Sequence, residues 1–166
     1  MKPVSQFEVV TDAAVGDYAG EVMEGIMEIH RRTTARYPAS AVFHRFQSQC
    51  NRNDDWIFVV ARDTGIALES QRCCAWVVGI RMYDSMAMPL VFMEAAWVRP
   101  GYHGEPLRAI APFVLRWARA RGCQRLLTAT ERTMAEDTEP GETPYGRWVS
   151  VFGCRPSVTV FERELA

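Results

Sequence analysis

Hydrophobic and polar positions follow two different periods along this chain of 166 residues. Runs rich in β-branched and aromatic residues predict strands, and they occupy residues 7–10, 56–61, 73–82, 90–98, 125–130 and 157–164. Apolar residues that recur every three or four positions predict helices, and these occupy residues 14–33, 40–50, 106–121 and 145–152. The predicted order of elements is β-α-α-β-β-β-α-β-α-β, which is typical of an α/β or α+β domain.

Residues at the ends of these segments indicate where the helices begin and stop. Thr11 and Asp12 supply N-cap side chains for the first helix, and Ser40 supplies one for the second. Gly122 follows the third helix, where a glycine commonly ends a helix. Pro112 lies inside this third helix and removes a hydrogen bond there, at a cost of about 3 kcal/mol. Either the helix kinks at Pro112, or its regular part begins near that residue.

The composition limits the class of protein. Apolar residues make up 48% of the chain, charged residues 23%, and the net charge is −1. These values predict a single domain over residues 1–166 and give no electrostatic reason to bind nucleic acid or an anionic membrane. The apolar runs are too short to span a bilayer and no signal-peptide core follows the N-terminus, so a cytoplasmic protein is expected. Five cysteines without CxxC spacing and three scattered histidines predict reduced thiols and no metal site.

The segment from Phe92 to Arg108 carries the most informative functional pattern. Its first part is an apolar strand that ends near Val98, and its last part opens the third helix. Between them lies a turn with the sequence Arg99-Pro100-Gly101-Tyr102-His103-Gly104. The first amides of a helix have no partner within it, and the helix dipole favours negative charge there. The segment therefore predicts an anion site of the kind that binds phosphate.

Four short signals follow one another in an order that resembles the GNAT superfamily of N-acetyltransferases. From the N-terminus they are Thr11-Asp12 after the first strand, Val98-x-Pro100-x-Tyr102-x-Gly104, Ala118-x-x-x-Gly122 and Phe152-Gly153-Cys154. The resemblance covers nearly the whole chain. It implies a mixed, mostly antiparallel central sheet flanked by helices, acetyl-CoA as the cofactor, and transfer of an acetyl group to a primary amine.

The resemblance also assigns residues to the cofactor. His103, Pro106 and Arg108 stand where the superfamily has Arg or Gln, then Gly, then Gly or Ala. Pro106 has no N–H, so one potential phosphate donor is missing. Arg108 either binds phosphate directly or fills the cavity that a small residue would leave. The implied cofactor-binding residues are Trp97, Val98, His103, Gly104, Glu105, Leu107 and Arg108, with Trp97 either in the core or on the wall of the coenzyme channel.

Two residues are candidates for proton transfer. Glu94 is a carboxylate in an otherwise apolar strand, and several enzymes of the superfamily are similar in having a glutamate there, so it is the candidate base. Alternatively, Glu94 lies on the solvent face or pairs with an arginine. The superfamily's usual general acid is a tyrosine, but Val149 stands at its position. Tyr145, one helical turn earlier, either replaces that tyrosine or is a packing residue.

Two functions are compatible with the same fold. In the first, the chain is an acetyl-CoA-dependent N-acyltransferase whose substrate is a small-molecule or peptide amine. In the second, catalysis is lost and the chain acts by binding another protein. Degenerate turns of this kind resemble those of GNAT-like proteins encoded by tailed bacteriophages. The acidic segment at residues 135–144 either attracts a cationic amine beside the acceptor cleft or is a solvated loop.

Overall fold

Five strands form one mixed sheet in the computed structural model, which describes residues 6–32 and 37–128. In chain order, and also in order across the sheet, they are β1 (Phe7–Val10), β2 (Trp56–Asp63), β3 (Cys73–Tyr83), β4 (Pro89–Val98) and β5 (Arg125–Thr128). The helices are α1 (Ala19–Arg32), α2 (Ala39–Cys50) and α3 (Glu105–Ala120). Neighbouring strands run antiparallel except β4 and β5, which are parallel.

This architecture confirms the predicted fold class, a mostly antiparallel sheet flanked by helices. The predicted order of elements agrees with the structure through β5. The helix predicted at residues 145–152 and the strand predicted at 157–164 lie outside the described residues. Within residues 6–32 and 37–128, no helix is both long enough and apolar enough to span a membrane.

The sheet separates two apolar cores. One face packs against α3 through a cluster that includes Ile57, Val59, Val77, Val91, Met93, Ile110 and Val114. The other face packs against α1 and α2 through a cluster that includes Val22, Ile26, Phe46, Phe58, Val60, Trp76 and Trp97. Because both faces are covered, most of β2 and the first seven residues of β3 are buried without alternation. This burial accounts for their unbroken apolar sequences.

A bulge in β4 redirects the side chains of its second half. Val78 of β3 pairs with Ala95 and Gly79 pairs with Met93, so Glu94 is an extra residue in the ladder. Before the bulge, Met93 packs on the α3 face. After it, Ala95 packs on the face of α1 and α2. The bulge therefore reverses which face each following residue of β4 occupies.

In the described residues, the parallel pairing of β4 with β5 extends up to this same bulge. It joins Leu90–Met93 to Arg125–Thr128, and Thr128 is the last residue of β5 that the structure describes. Within the described residues, the segment of β4 from Ala95 to Val98 pairs with β3 alone. The bulge thus lies directly after the last described pair of β4 and β5.

The predicted N-caps of the first two helices are wrong. A 3₁₀ turn at Val15–Tyr18 precedes α1, and its N-cap is Ala14, with no side-chain cap hydrogen bond from Thr11 or Asp12. The N-cap of α2 is Pro38, whose carbonyl accepts hydrogen bonds from the amides of Ala41 and Val42. Ser40 consequently lies inside the first turn of α2. In both cases the backbone of the preceding turn, rather than a polar side chain, sets the start of the helix.

The third helix runs without interruption from Glu105 to Ala120, with Pro112 inside it. The alternative in which its regular part begins near Pro112 is therefore wrong. Pro112 is exposed, so water can hydrate the carbonyl that loses its amide partner, and this lowers the cost of the proline. The predicted stop is confirmed: Gly122 has a φ of +75° and its amide donates to the Arg119 carbonyl.

Candidate functional site

The turn between β4 and α3 is held to the end of β2 by a hydrogen bond. The Tyr102 hydroxyl donates to Oδ2 of Asp63 at 2.7 Å, and Asp63 is fully buried. Oδ1 of Asp63 accepts from the Gln6 side chain and from the Gly65 amide. Gly101, with a φ of +92°, lets the chain reverse before Tyr102. These contacts fix the position of the turn relative to the sheet.

The amides at the start of α3 retain part of the predicted anion site. Gly104 is the N-cap, and its carbonyl accepts from the Arg108 amide at 3.0 Å. Pro106 is buried in the first turn and has no N–H. By helix geometry, the amides of Glu105 and Leu107 have no partner within the helix. The backbone therefore offers fewer donors than a turn with glycine in place of Pro106, but it still fits an anion.

The Glu105 side chain folds back onto this turn, which the sequence did not indicate. Glu105 is only 5% exposed. Its Oε2 accepts a hydrogen bond from the His103 amide at 3.2 Å. The carboxylate thus occupies the His103 amide, which lies next to the N-cap of α3.

Two cationic or polar side chains stand outside the turn. Arg108 and His103 are both exposed, whereas Pro106 and Leu107 take the inward positions of the first turn. The Arg108 side chain therefore does not fill a cavity, and it remains accessible to a ligand at the helix start.

The two implied cofactor residues on β4 belong to the apolar cores. Trp97 is 4% exposed, stacks on Trp76 with ring centroids 6.5 Å apart, and donates from Nε1 to the Glu28 carboxylate. Val98 is partly buried and packs against the α3-facing cluster. Of the two alternatives for Trp97, the structure places it in the core. Trp97 is therefore not accessible to a ligand, whereas Val98 is partly exposed.

Glu94 forms an ion pair with an arginine at the bulge, which is one of the two structural alternatives predicted for it. Its Oε1 lies 3.0 Å from Nη1 of Arg45, which comes from α2. The Arg45 guanidinium also lies 5.3 Å from the centre of the Trp56 ring. The Glu94 side chain keeps 21% of its surface exposed and that of Arg45 keeps 54%. The carboxylate is therefore accessible from the face of α1 and α2.

Sequence reasoning did not identify Arg45 or Asp63 as parts of this site. Both contacts join residues that are far apart in the chain, and Asp63 and Tyr102 are separated by 39 positions. One signal was available: Asp63 ends an apolar strand, and a buried carboxylate there requires a donor. The other candidate for proton transfer, Tyr145, lies outside the described residues.

Four of the five cysteines lie in the part of the chain that the structure describes. Cys50, Cys73 and Cys123 are free thiols, and Cys73, Cys74 and Cys123 are buried. Burial raises the pKa of Cys50 and of Cys73 to about 12. No cluster of three potential metal ligands occurs among residues 6–32 and 37–128.

A separate groove of about 770 Å³ lies at the opposite end of the sheet from the turn. It is lined by the segment after β1, the start of β2 and the last turns of α3, including Trp56, Phe113, Arg116, Trp117 and Arg121. The guanidinium of Arg121 lies 4.5 Å from the centre of the Trp117 ring, and that of Arg116 lies 5.5 Å from the Phe113 ring. The groove does not include Glu94 or the turn before α3.

The fold was compared with known proteins. No protein-family model and no curated protein matches the sequence. An integron cassette protein from the mobile metagenome of Cole Harbour Salt Marsh is 17% identical, with a TM-score of 0.66 over 98% of this chain and 92% of that one. Glucosamine-6-phosphate N-acetyltransferase from Arabidopsis thaliana is 12% identical, with a TM-score of 0.62 over 96% and 99% of the two chains.

A third similar structure contains a coenzyme analogue. It is AAC(6')-Iy in complex with the bisubstrate analog CoA-S-monomethyl-acetylneamine, 16% identical, with a TM-score of 0.59 over 96% of this chain and 99% of that one. At such identities these likenesses establish the fold alone. Together with the sheet order and the strand-turn-helix unit, they show that the chain has the fold of the GNAT superfamily of N-acetyltransferases.

Proposed function

We propose that this chain is an acetyl-CoA-dependent N-acyltransferase that acts on the primary amine of a small molecule or peptide. The observation that carries the proposal is the position of Glu94. It is the extra residue of the β4 bulge, and the same strand leads into the proposed anion turn before α3. An acyl donor bound along this segment would have its anionic end at the helix and its thioester near a carboxylate.

The residues present fit the coenzyme in part. The amides of Gly104, Glu105 and Leu107 and the side chains of His103 and Arg108 would hold the diphosphate. Among the described residues, Ala95–Val98 pair with β3 on one side, and we propose that the backbone on their other side hydrogen-bonds the amides of the pantetheine arm, as a strand edge does with an extended peptide. When bound, the coenzyme supplies an acetyl group activated as a thioester.

Acetyl transfer forms a bond between the amine nitrogen and the acyl carbon and breaks the carbon–sulfur bond of the thioester. The amine loses one proton and the departing thiolate gains one, so protons balance. Glu94 would accept the proton of the amine. Its Oε1 faces Arg45, and within the described residues no partner contacts Oε2, which leaves that oxygen for the amine. Tyr145 is the proposed donor of a proton to the thiolate.

The direct test of this proposal is formation of an acetylated product. The full chain is incubated with acetyl-CoA and a panel of amines that includes small amines, peptides and aminoglycosides, and the products are identified by mass spectrometry. The proposal expects at least one acetylated amine whose yield depends on Glu94. A panel with no product above the uncatalysed reaction would contradict it.

One observation favours a second function, binding of another protein without catalysis. The hairpin between β3 and β4 exposes several large apolar side chains, namely Met82, Tyr83, Met86 and Met88. Exposed apolar groups that lie together commonly mark a contact surface. If no amine is acetylated and acetyl-CoA does not bind, this hairpin is the surface to examine first.

A further inference from the structure

One carboxylate lies inside the turn that would bind the diphosphate. Glu105 opens α3, is 5% exposed, and accepts a hydrogen bond at 3.2 Å from the His103 amide. Glu105 and His103 lie on either side of Gly104, so this hydrogen bond closes around the N-cap of the helix. A negative group in this position is stabilised by the helix dipole. The Glu105 carboxylate therefore interacts favourably with the helix dipole, as a bound phosphate would.

We propose that Glu105 is a specificity-determining residue that competes with the diphosphate of an acyl donor for the His103 amide and the start of α3. The turn consequently binds the diphosphate of a donor less tightly than it would without this carboxylate, whereas binding of the pantetheine part is unaffected. This inference rests on the proposed function, because it concerns the donor side of the same site.

The charges around Glu105 support this competition. Within residues 6–32 and 37–128, no arginine or lysine forms an ion pair with its carboxylate. Arg108 lies on the same helix but is exposed. A diphosphate that enters the turn therefore meets a like charge that is buried and not neutralised, and like charges in a poorly hydrated site repel each other strongly. A donor without the diphosphate avoids this repulsion.

Three variants separate the charge of Glu105 from its shape. Glu105→Gln removes the charge, while its amide oxygen can still accept from the His103 amide. Glu105→Asp keeps the charge on a shorter side chain. Asp54→Asn removes a carboxylate from the exposed turn before β2, at the opposite end of the sheet, and is the matched control. Each protein is titrated calorimetrically with acetyl-CoA, S-acetylpantetheine and inorganic pyrophosphate.

The expected result is a selective gain in affinity. Glu105→Gln should bind acetyl-CoA and pyrophosphate about tenfold more tightly than the wild type, with affinity for S-acetylpantetheine changed by less than about twofold. Glu105→Asp and Asp54→Asn should keep wild-type affinities. Equal binding of acetyl-CoA by the wild type and Glu105→Gln would overturn the inference but leave the proposed function intact. Absence of binding by every protein to all three ligands would overturn both.

A second measurement needs no variant. In the wild type, the amide resonance of His103 reports its hydrogen bond to Glu105. Saturation with acetyl-CoA should shift that resonance, because the carboxylate gives up the amide to the diphosphate. A His103 resonance that stays unchanged while the other turn amides shift would overturn the inference.

Discussion

The Glu94 carboxylate and the Arg45 guanidinium form an ion pair with Oε1 and Nη1 3.0 Å apart. Glu94 comes from the bulge of β4, and Arg45 comes from α2, so the pair joins the sheet to the helices on one face. The Arg45 guanidinium also contacts the Trp56 ring in a cation–π geometry. The pair holds the carboxylate on the face of the sheet that packs against α1 and α2.

The first prediction concerns the proton acceptor. Glu94→Gln should lower turnover on any accepted amine by about 10²–10⁴-fold, because general base catalysis supplies an acceleration of that size. The affinity for acetyl-CoA should stay unchanged, since Glu94 does not contact the anion turn. Steady-state kinetics and calorimetry measure the two quantities. If turnover persists while the melting temperature falls, Glu94 has a structural role only.

The second prediction concerns the bond that positions the turn. Tyr102→Phe removes the hydroxyl that donates at 2.7 Å to the buried Asp63 carboxylate. We expect a loss of about 1.5–3 kcal/mol in the free energy of unfolding, as is usual for a hydrogen bond to a charged group. Urea denaturation measures it. The matched control Tyr83→Phe, on the exposed hairpin, should change the free energy of unfolding by less than about 0.5 kcal/mol.

The third prediction tests how α1 packs on the two stacked tryptophans. A Cβ at Gly25 would lie 2.5 Å from an atom of Trp76 and 2.7 Å from one of Trp97. Gly25→Ala should therefore destabilise the fold by about 1–3 kcal/mol through overpacking. At Gly20, in the same helix, a Cβ has no neighbour within 4 Å. Gly20→Ala should instead stabilise by about 0.5–1 kcal/mol, and thermal unfolding of both variants would show opposite shifts.

The strands and helices that determine the fold could be predicted from apolar periodicity. The predicted bounds of β2, β3, β4 and α3 lie within two residues of those observed, because long apolar runs decide those elements. The N-caps Ala14 and Pro38 could not be predicted from the sequence, because backbone hydrogen bonds rather than cap side chains define them. The site was only half predictable, because the partner of Glu94 comes from another element.

The side chain of Glu105 shows the same limit within a single turn. Its position in the sequence indicated a residue of the anion turn, and the structure places it as the first residue of α3. Whether a glutamate in a first turn points to solvent or folds back on the amides depends on the space left by its neighbours. Here the carboxylate folds back and accepts from the His103 amide.

The fourth prediction concerns the thiols. Burial raises the pKa of Cys73 and of Cys50 from the usual value of about 8.5 to about 12. Folding therefore favours the protonated thiols, so this contribution to stability is complete below about pH 8.5 and is lost as the pH rises toward 12. The melting temperature should fall over that range. In the variant with Ala at both positions, the fall should be smaller, and an equal fall would contradict the assignment.

The measurement that tests the proposed function most directly is calorimetric titration of the wild type with acetyl-CoA. We predict saturable one-site binding with a dissociation constant of about tens of micromolar or weaker, because Pro106 removes a donor and Glu105 occupies another. The same ligand should raise the melting temperature, since it binds only the folded chain. No heat of binding and no thermal shift at millimolar acetyl-CoA would contradict the proposal that this fold serves as an acetyltransferase.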